Sequence, residues 1–208
     1  MRPSIAVETE SKFELSRSEF ERLLAETVEI RCEHQRNFYF DDNDWLLAGS
    51  NATCRLREVS GLQGEVTLKL PLAGGPNRPR RMEELTWRDA DVADAFRRAA
   101  ESVGCIPVRL FSDSVVQHAF ELLGVSQLCF RGAIETARHV VRYHELTFEL
   151  DEVALPNGLR AYEIEFESND PAAHTTLRNS LQRVVGQLRP SQVSKFQRFR
   201  AALENFVG

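Results

Sequence analysis

A chain of 208 residues, 42% hydrophobic and 27% charged, can bury a core without disulfides or a structural metal, as one large domain or two small ones. Eleven glycines and eight prolines exclude collagen-like repeats and long disordered tracts. With 26 basic against 31 acidic residues the net charge is −5, which disfavours a general nucleic-acid or anionic-membrane binder unless the charge is segregated along the chain.

The opening Met-Arg-Pro-Ser-Ile-Ala-Val-Glu turns acidic before an apolar signal segment can form, and no stretch reaches eighteen apolar residues. A cytoplasmic protein without membrane association is expected. Period-two alternation predicts a first strand over 5–14. Ser16 and Glu19 then form the S-x-x-E of a capping box, and Phe20, Leu23, Leu24 and Val28 recur at helical spacing, so a helix over about 17–29 follows. Strands are predicted over 35–41, 53–59 and 63–71, with Gly61 punctuating a hairpin, and Gly74-Gly75-Pro76-Asn77 marks a longer turn before a strand over 80–87. A second helix starts near Asp89, carries Val92, Ala95, Phe96, Ala99, Ala100 and Val103 on one stripe, and ends at Gly104.

A short helix over 113–123 precedes Gly124. Strands over 127–142, 145–153 and 160–168 follow, the last two separated by the turn Pro156-Asn157-Gly158. Asp170-Pro171 opens a long helix with Leu177, Leu181, Val184, Val185 and Leu188 behind it, and a last helix covers roughly 192–206. Eight strands with no internal repeat and no Pro/Gly/Ser linker predict a single α+β domain over 1–208, built on an antiparallel sheet. Cys32, Cys54, Cys105 and Cys129 are widely spaced without a C-x-x-C, so four reduced thiols are expected rather than a zinc cage or a disulfide framework.

What alternates with the apolar residues is unusual. Glu8 and Glu10 share a strand face with Lys12; Glu149 pairs with Asp151; Glu163, Glu165 and Glu167 flank Ile164 and Phe166. Mid-chain, Arg55 and Arg57 flank Leu56, Thr67 and Lys69 flank Leu68, and Arg80 and Arg81 precede Glu83 and Glu84. Any one pair reads as a solvated sheet face, but like charges at i and i+2 repel, and an unconstrained surface would intersperse the signs. Together they point to a sheet curled into a barrel with a polar interior, whose acidic strands collect divalent cations and whose basic strands collect a polyanion. Carboxylates at this density suit magnesium or manganese. The five histidines, His34, His118, His139, His144 and His174, are scattered and are assigned no catalytic role. Arginine forks and lysine point charges suit a chain of phosphates.

These residues resemble a known pattern. Glu8-Thr9-Glu10-Ser11-Lys12 is similar to the E-x-E-x-K opening of the triphosphate tunnel metalloenzymes, the CYTH superfamily of class IV adenylate cyclases, thiamine triphosphatases and inorganic triphosphatases. The expected order continues with Asn37-Phe38-Tyr39-Phe40-Asp41, Arg55-Leu56-Arg57, Val66-Thr67-Leu68-Lys69 and Arg80–Glu84. It then runs through Glu135-Thr136-Ala137-Arg138, Glu149-Leu150-Asp151-Glu152, Tyr162-Glu163-Ile164-Glu165 and Ser194-Lys195-Phe196. The resemblance implies an eight-stranded antiparallel β-barrel, the triphosphate tunnel, surrounded by helices.

It further implies that Glu8, Glu10, Glu163 and Glu165 bind metal, with Glu149 and Asp151 helping to hold a second ion or orient water. Lys12, Arg55, Arg57, Lys69, Arg81, Arg138 and Lys195 would form the triphosphate cradle, and Glu8, Glu10, Lys12 and Glu165 are the residues most directly tied to catalysis. Residues 143–168 and the ending Ser194–Arg200 look closest to the triphosphatase branch, including its thiamine triphosphatase-like members. Two departures stand out: Glu83 and Glu84 are adjacent, which leaves open which one faces inward, and Glu135 stands where the family often has a basic residue.

The function implied is magnesium- or manganese-dependent hydrolysis of the terminal anhydride of inorganic triphosphate or a small organic triphosphate. The alternatives are an adenylate cyclase releasing pyrophosphate from ATP and a non-catalytic polyphosphate- or nucleotide-binding module. The partner expected is a small triphosphate, with no nucleic acid, and the apolar helix stripes would serve equally to cover the barrel or to form a homodimer. Trp45 and Trp87 are expected as packing residues.

Overall fold

The computed structural model describes residues 2–60, 62–72, 80–191 and 193–204. Gly61 and the Gly74–Asn77 turn lie outside these, as do Gln192 and the end of the last helix. The strands are β1 (Ser4–Leu15), β2 (Val28–Asp41), β3 (Thr53–Val59), β4 (Glu65–Pro71), β5 (Arg80–Trp87), β6 (Cys105–Pro107), β7 (Gln127–Tyr143), β8 (Leu146–Ala154), β9 (Arg160–Glu167) and β10 (Arg189–Pro190). The helices are α1 (Arg17–Glu26), α2 (Leu46–Gly49), α3 (Ala90–Glu101), α4 (Ser114–Leu122), α5 (Pro171–Val185) and α6 (Lys195–Glu204). The sheet runs β10-β1-β5-β4-β3-β2-β7-β8-β9, and β1 also pairs β9 antiparallel, so the ladder closes on itself. Setting aside the short β6 and β10, this is an eight-stranded antiparallel barrel with helices, the class expected from the sequence.

By packing, the chain divides into two compact units, one of residues 1–7, 36–72 and 82–134, the other of 8–35, 73–81 and 135–208. In the first, Phe38 and Phe40, Cys54 and Leu56, Val66 and Leu68, and Leu85 and Trp87 alternate into a core closed by Phe96 of α3, Phe111 between β6 and α4, and Val116 and Phe120 of α4. Trp87 stacks obliquely on Phe111 at 4.6 Å, a packing role as expected. In the second unit Phe13, Leu15, Val141, Phe148, Leu150, Ile164 and Phe166 meet Phe20 and Leu23 of α1 and Leu177 and Leu181 of α5. In both, the apolar residues occupy one face of each strand, which leaves the charged faces of the sequence pattern on the other.

Local chemistry sets the helix starts. Ser16 accepts from Glu19 N and Glu19 bonds back to Ser16 N, completing the capping box. Asp89, Asp113 and Asp170 cap α3, α4 and α5, the last with Pro171 at the first helical position. One boundary differs from expectation: α1 ends at Glu26, and β2 begins at Val28 rather than 35. The β-branched run Thr27-Val28 and Ile30 favours extended backbone, and residues 28–32 are all exposed, so burial leaves no alternating signature to read.

The thiols also differ. Cys105 and Cys129 stand opposite one another across the β6–β7 pairing and form a disulfide, whereas Cys32 and the buried Cys54 are free. Four separate thiols was therefore the wrong expectation, because spacing along a chain does not report the register that brings two strands together. No helix among the described residues is long and apolar enough to cross a membrane.

Behind β1, His174 of α5 is buried, its Nδ1 2.8 Å from Ser11 Oγ and its Nε2 2.8 Å from the Ser168 carbonyl oxygen. A ring that donates from Nε2 and accepts at Nδ1 satisfies both, and ties α5 to the strand carrying Glu10 and Lys12. Replacing His174 with Leu takes the partner from the buried Ser11 hydroxyl and from the half-buried Ser168 carbonyl; we expect a loss of about 1–3 kcal/mol, measured as a lower urea midpoint at unchanged slope.

Candidate active site

The register of the second unit places its charges in rows. Arg138 of β7 lies opposite Asp151 of β8, which lies opposite Glu163 of β9. In the next row Glu149 faces Glu165, and Glu165 faces Lys12 of β1. Two acid-on-acid pairs directly across adjacent strands would repel, so the arrangement needs cations. Lys12 and Arg138 come from the strands themselves; Lys195 and Arg198 come from one turn of α6.

The contacts are close. Lys195 Nζ lies 2.7 Å from Asp151, 2.5 Å from Glu163 and 2.8 Å from Glu165. Lys12 Nζ is 2.5 Å from Glu165. Arg138 forks onto Asp151 at 2.9 and 2.7 Å, contacts Glu165, and reaches Glu149 at 2.6 Å. Arg198 reaches Glu163 at 2.5 Å. Asp151 and Glu163 have no exposed surface.

Burial pushes the Glu165 carboxyl up, but Lys12, Lys195 and Arg138 more than reverse this and hold it well below the usual range. Asp151 is lowered in the same way against its own burial, by Lys195 and Arg138. Burial opposes the charge on Lys12 and Lys195 too, yet the facing acids (Glu163 and Glu165, with Glu10 for Lys12 and Asp151 for Lys195) raise both. Glu149 goes the other way: burial pushes it up to about 7, with Glu165 and Asp151 adding to the effect and Arg138 only partly opposing it.

Asp151, Glu163 and Glu165 each offer a carboxylate oxygen, all within 4.8 Å of one another. Both oxygens of Glu163 and Oε2 of Glu149 are buried without a hydrogen bond, although cations lie 2.5–2.6 Å away, because those ion pairs have poor angles for hydrogen bonding. An all-oxygen donor set with unused coordination capacity fits a hard divalent cation. Glu10 is buried and close enough to act on Lys12, and Glu8 is half-buried, but both stand outside this tight trio. Arg81 is exposed. Arg198 entered the sequence pattern only as part of the C-terminal stretch, yet it contacts Glu163; its one-turn spacing from Lys195 on a helix was the available signal.

The first unit holds Arg55, Arg57 and Lys69. Arg57 Nε donates to Asn37 Oδ1 at 3.3 Å, and Lys69 pairs with Glu84 at 2.7 Å. Lys69 lies opposite Glu84, and Leu70 opposite Glu83. Glu84 thus shares the polar face with Thr67 and Lys69, whereas Glu83 lies on the face of Leu85 and Trp87, which settles the choice the sequence left open. Arg55 Nε and Thr67 Oγ1 are buried on this face without a hydrogen-bond partner, donors available to an anion's oxygens.

A carboxyl raised in the folded state destabilises the fold as pH climbs from its unfolded pKa to its folded one, because only the unfolded chain ionises freely in that window. For Glu149 the window runs from about 4.5 to about 7. In EDTA, Glu149→Gln is expected to be about 1–3 kcal/mol more stable than the parent at pH 8 and to lose that advantage at pH 4, as read from paired denaturation curves. An advantage independent of pH would contradict the burial of a reluctant charge.

The CYTH domain family model matches residues 6–200 of this chain. Among solved structures, a "putative adenylate cyclase" from Bacillus halodurans is 25% identical with a TM-score of 0.70, covering 94% of this chain and 98% of that one. A Hippeastrum protein, described as a "putative adenylyl cyclase" with a dominant triphosphatase activity, is 22% identical with a TM-score of 0.71, covering 94% and 95%. A Pyrococcus horikoshii protein is 18% identical with a TM-score of 0.60, covering 95% and 99%, and bears on the fold alone. No curated protein sequence matches significantly. The strand order, the rows of paired charges and a match across nearly the whole length agree: this chain belongs to the CYTH domain family.

Proposed function

We propose that the protein is a divalent-metal-dependent triphosphatase that hydrolyses the terminal anhydride of inorganic triphosphate or a small organic triphosphate such as thiamine triphosphate. The observation that carries this reading is the buried cluster in which Lys12, Arg138, Lys195 and Arg198 neutralise Glu149, Asp151, Glu163 and Glu165. Such a cluster exchanges partners with little net change in buried charge: the carboxylates can turn to a cation while the released ammonium and guanidinium groups turn to phosphate oxygens. Magnesium or manganese held by Asp151, Glu163 and Glu165, with Glu8, Glu10 and Glu149 as further ligands, would supply charge neutralisation and an activated water.

Lys12, Arg138 and Lys195 would bind the phosphates, and Arg55, Arg57, Lys69 and Arg81 carry the same assignment. Glu10 holds charge on Lys12, and Arg138 fixes Glu165 and Asp151 in place. The Hippeastrum neighbour's dominant triphosphatase activity supports hydrolysis over cyclisation; the Bacillus neighbour's description supports a cyclase as the second reading. We also propose a cytoplasmic setting for the protein.

The test is phosphate release from triphosphate, thiamine triphosphate, ATP and GTP with magnesium, manganese or EDTA, alongside cyclic AMP formation. Metal-dependent phosphate release is expected, falling at least about 100-fold in Glu163→Gln, the scale of several kcal/mol of lost charge stabilisation. Cyclic AMP and pyrophosphate from ATP would make it a cyclase, and binding without turnover a binding module. Lys195→Ala strips one cation from three buried carboxylates and should cost about 3–5 kcal/mol in EDTA. Magnesium should then raise the melting temperature of this variant more than that of the parent; equal shifts would count against partner exchange.

A further inference from the structure

The second unit carries another donor cluster, with a different chemistry. Glu29 and Cys32 of β2 and His139 of β7 bring a carboxylate oxygen, a thiol sulfur and an imidazole nitrogen within 4.8 Å of one another. Glu29 Oε2 contacts His139 Nδ1, and the His139 ring is held edge-on by Phe20 of α1 at 5.9 Å. Glu29 and Cys32 are exposed, so the cluster is open to solvent, and none of its residues belongs to the rows of charge on the barrel strands.

We propose that these residues form a second metal site that takes a borderline, zinc-class divalent cation. One sulfur, one nitrogen and one oxygen donor make a set that hard magnesium does not prefer and that zinc accepts, with a fourth position left to water. Neighbouring ligand atoms around tetrahedral zinc are about 3.3–3.8 Å apart, inside the 4.8 Å that bounds the three donors here, and the exposed Glu29 and Cys32 side chains are free to turn to that spacing. The surroundings add negative charge, since the Glu33 carboxylate joins Glu29 in acting on Cys32, and this favours a bound cation. Phe20 packing also limits how the imidazole can turn, which pre-orients the one ligand that comes from another strand.

Cobalt(II) distinguishes this site from the carboxylate cluster, which has no sulfur to produce a thiolate-to-cobalt charge-transfer band. Metal-free whole protein, kept non-reduced and in excess magnesium, should develop that band on addition of one equivalent of cobalt(II) and lose it when zinc is added. Cys32→Ser should abolish the band, and Glu29→Gln or His139→Gln should weaken cobalt affinity by about tenfold or more. No band in the parent protein, or a band that survives Cys32→Ser, would overturn the proposal. The outcome is independent of whether the protein hydrolyses triphosphate, because nothing in the readout depends on turnover.

Discussion

Asp151, Glu163 and Glu165 cannot be buried side by side on adjacent strands unless something positive is buried with them. Each isolated charge would cost several kcal/mol of lost hydration, and each neighbouring acid would add to that cost. Lys12, Arg138, Lys195 and Arg198 meet the requirement through ion pairs of about salt-bridge length from three different parts of the chain. The strand register, the docking of α6 against its unit and the orientation of β1 are therefore consequences of one electrostatic constraint. The Ser11–His174–Ser168 chain serves the same end from the apolar side, since it anchors the strand that delivers Lys12.

Within that cluster the acids are not equivalent. Asp151 and Glu165 are each surrounded by cations and stay ionised, whereas Glu149 keeps only Arg138 against three acids, Glu165, Asp151 and Glu167. Position relative to the cations, more than depth of burial, separates a permanent anion from one that can carry a proton near neutral pH. The polar face of the first unit has a different character: Lys69 is matched by Glu84, but Arg55 and Thr67 retain buried polar atoms with nothing to bond.

Much of this was legible in the sequence. Period-two alternation located all eight barrel strands, and single-sign runs such as Glu163-Ile164-Glu165 marked polar faces that could not be ordinary surface. The capping residues Ser16, Asp89 and Asp170 announced their helices. What the sequence could not show was register. Glu84 rather than Glu83 shares a face with Lys69 because β4 and β5 pair as they do, and Cys105 meets Cys129 because β6 pairs β7 at that position. The same limit hid the Glu29–Cys32–His139 cluster: donor spacing along the chain suggested no site for zinc, while the pairing of β2 with β7 supplies a ligand from more than a hundred residues away.

The position of Lys195 and Arg198 on α6 has a consequence for how the molecule comes into being. A ribosome releases β7, β8 and β9, with all four acids, before it releases the helix that supplies two of the four balancing cations. Until α6 emerges, the nascent acids have only Lys12 and Arg138 to bury them, and their mutual repulsion keeps those strands hydrated and open. The second unit thus has an electrostatic latch that lies after its acidic strands in chain order, so these acids gain their full set of balancing cations only once α6 has been made.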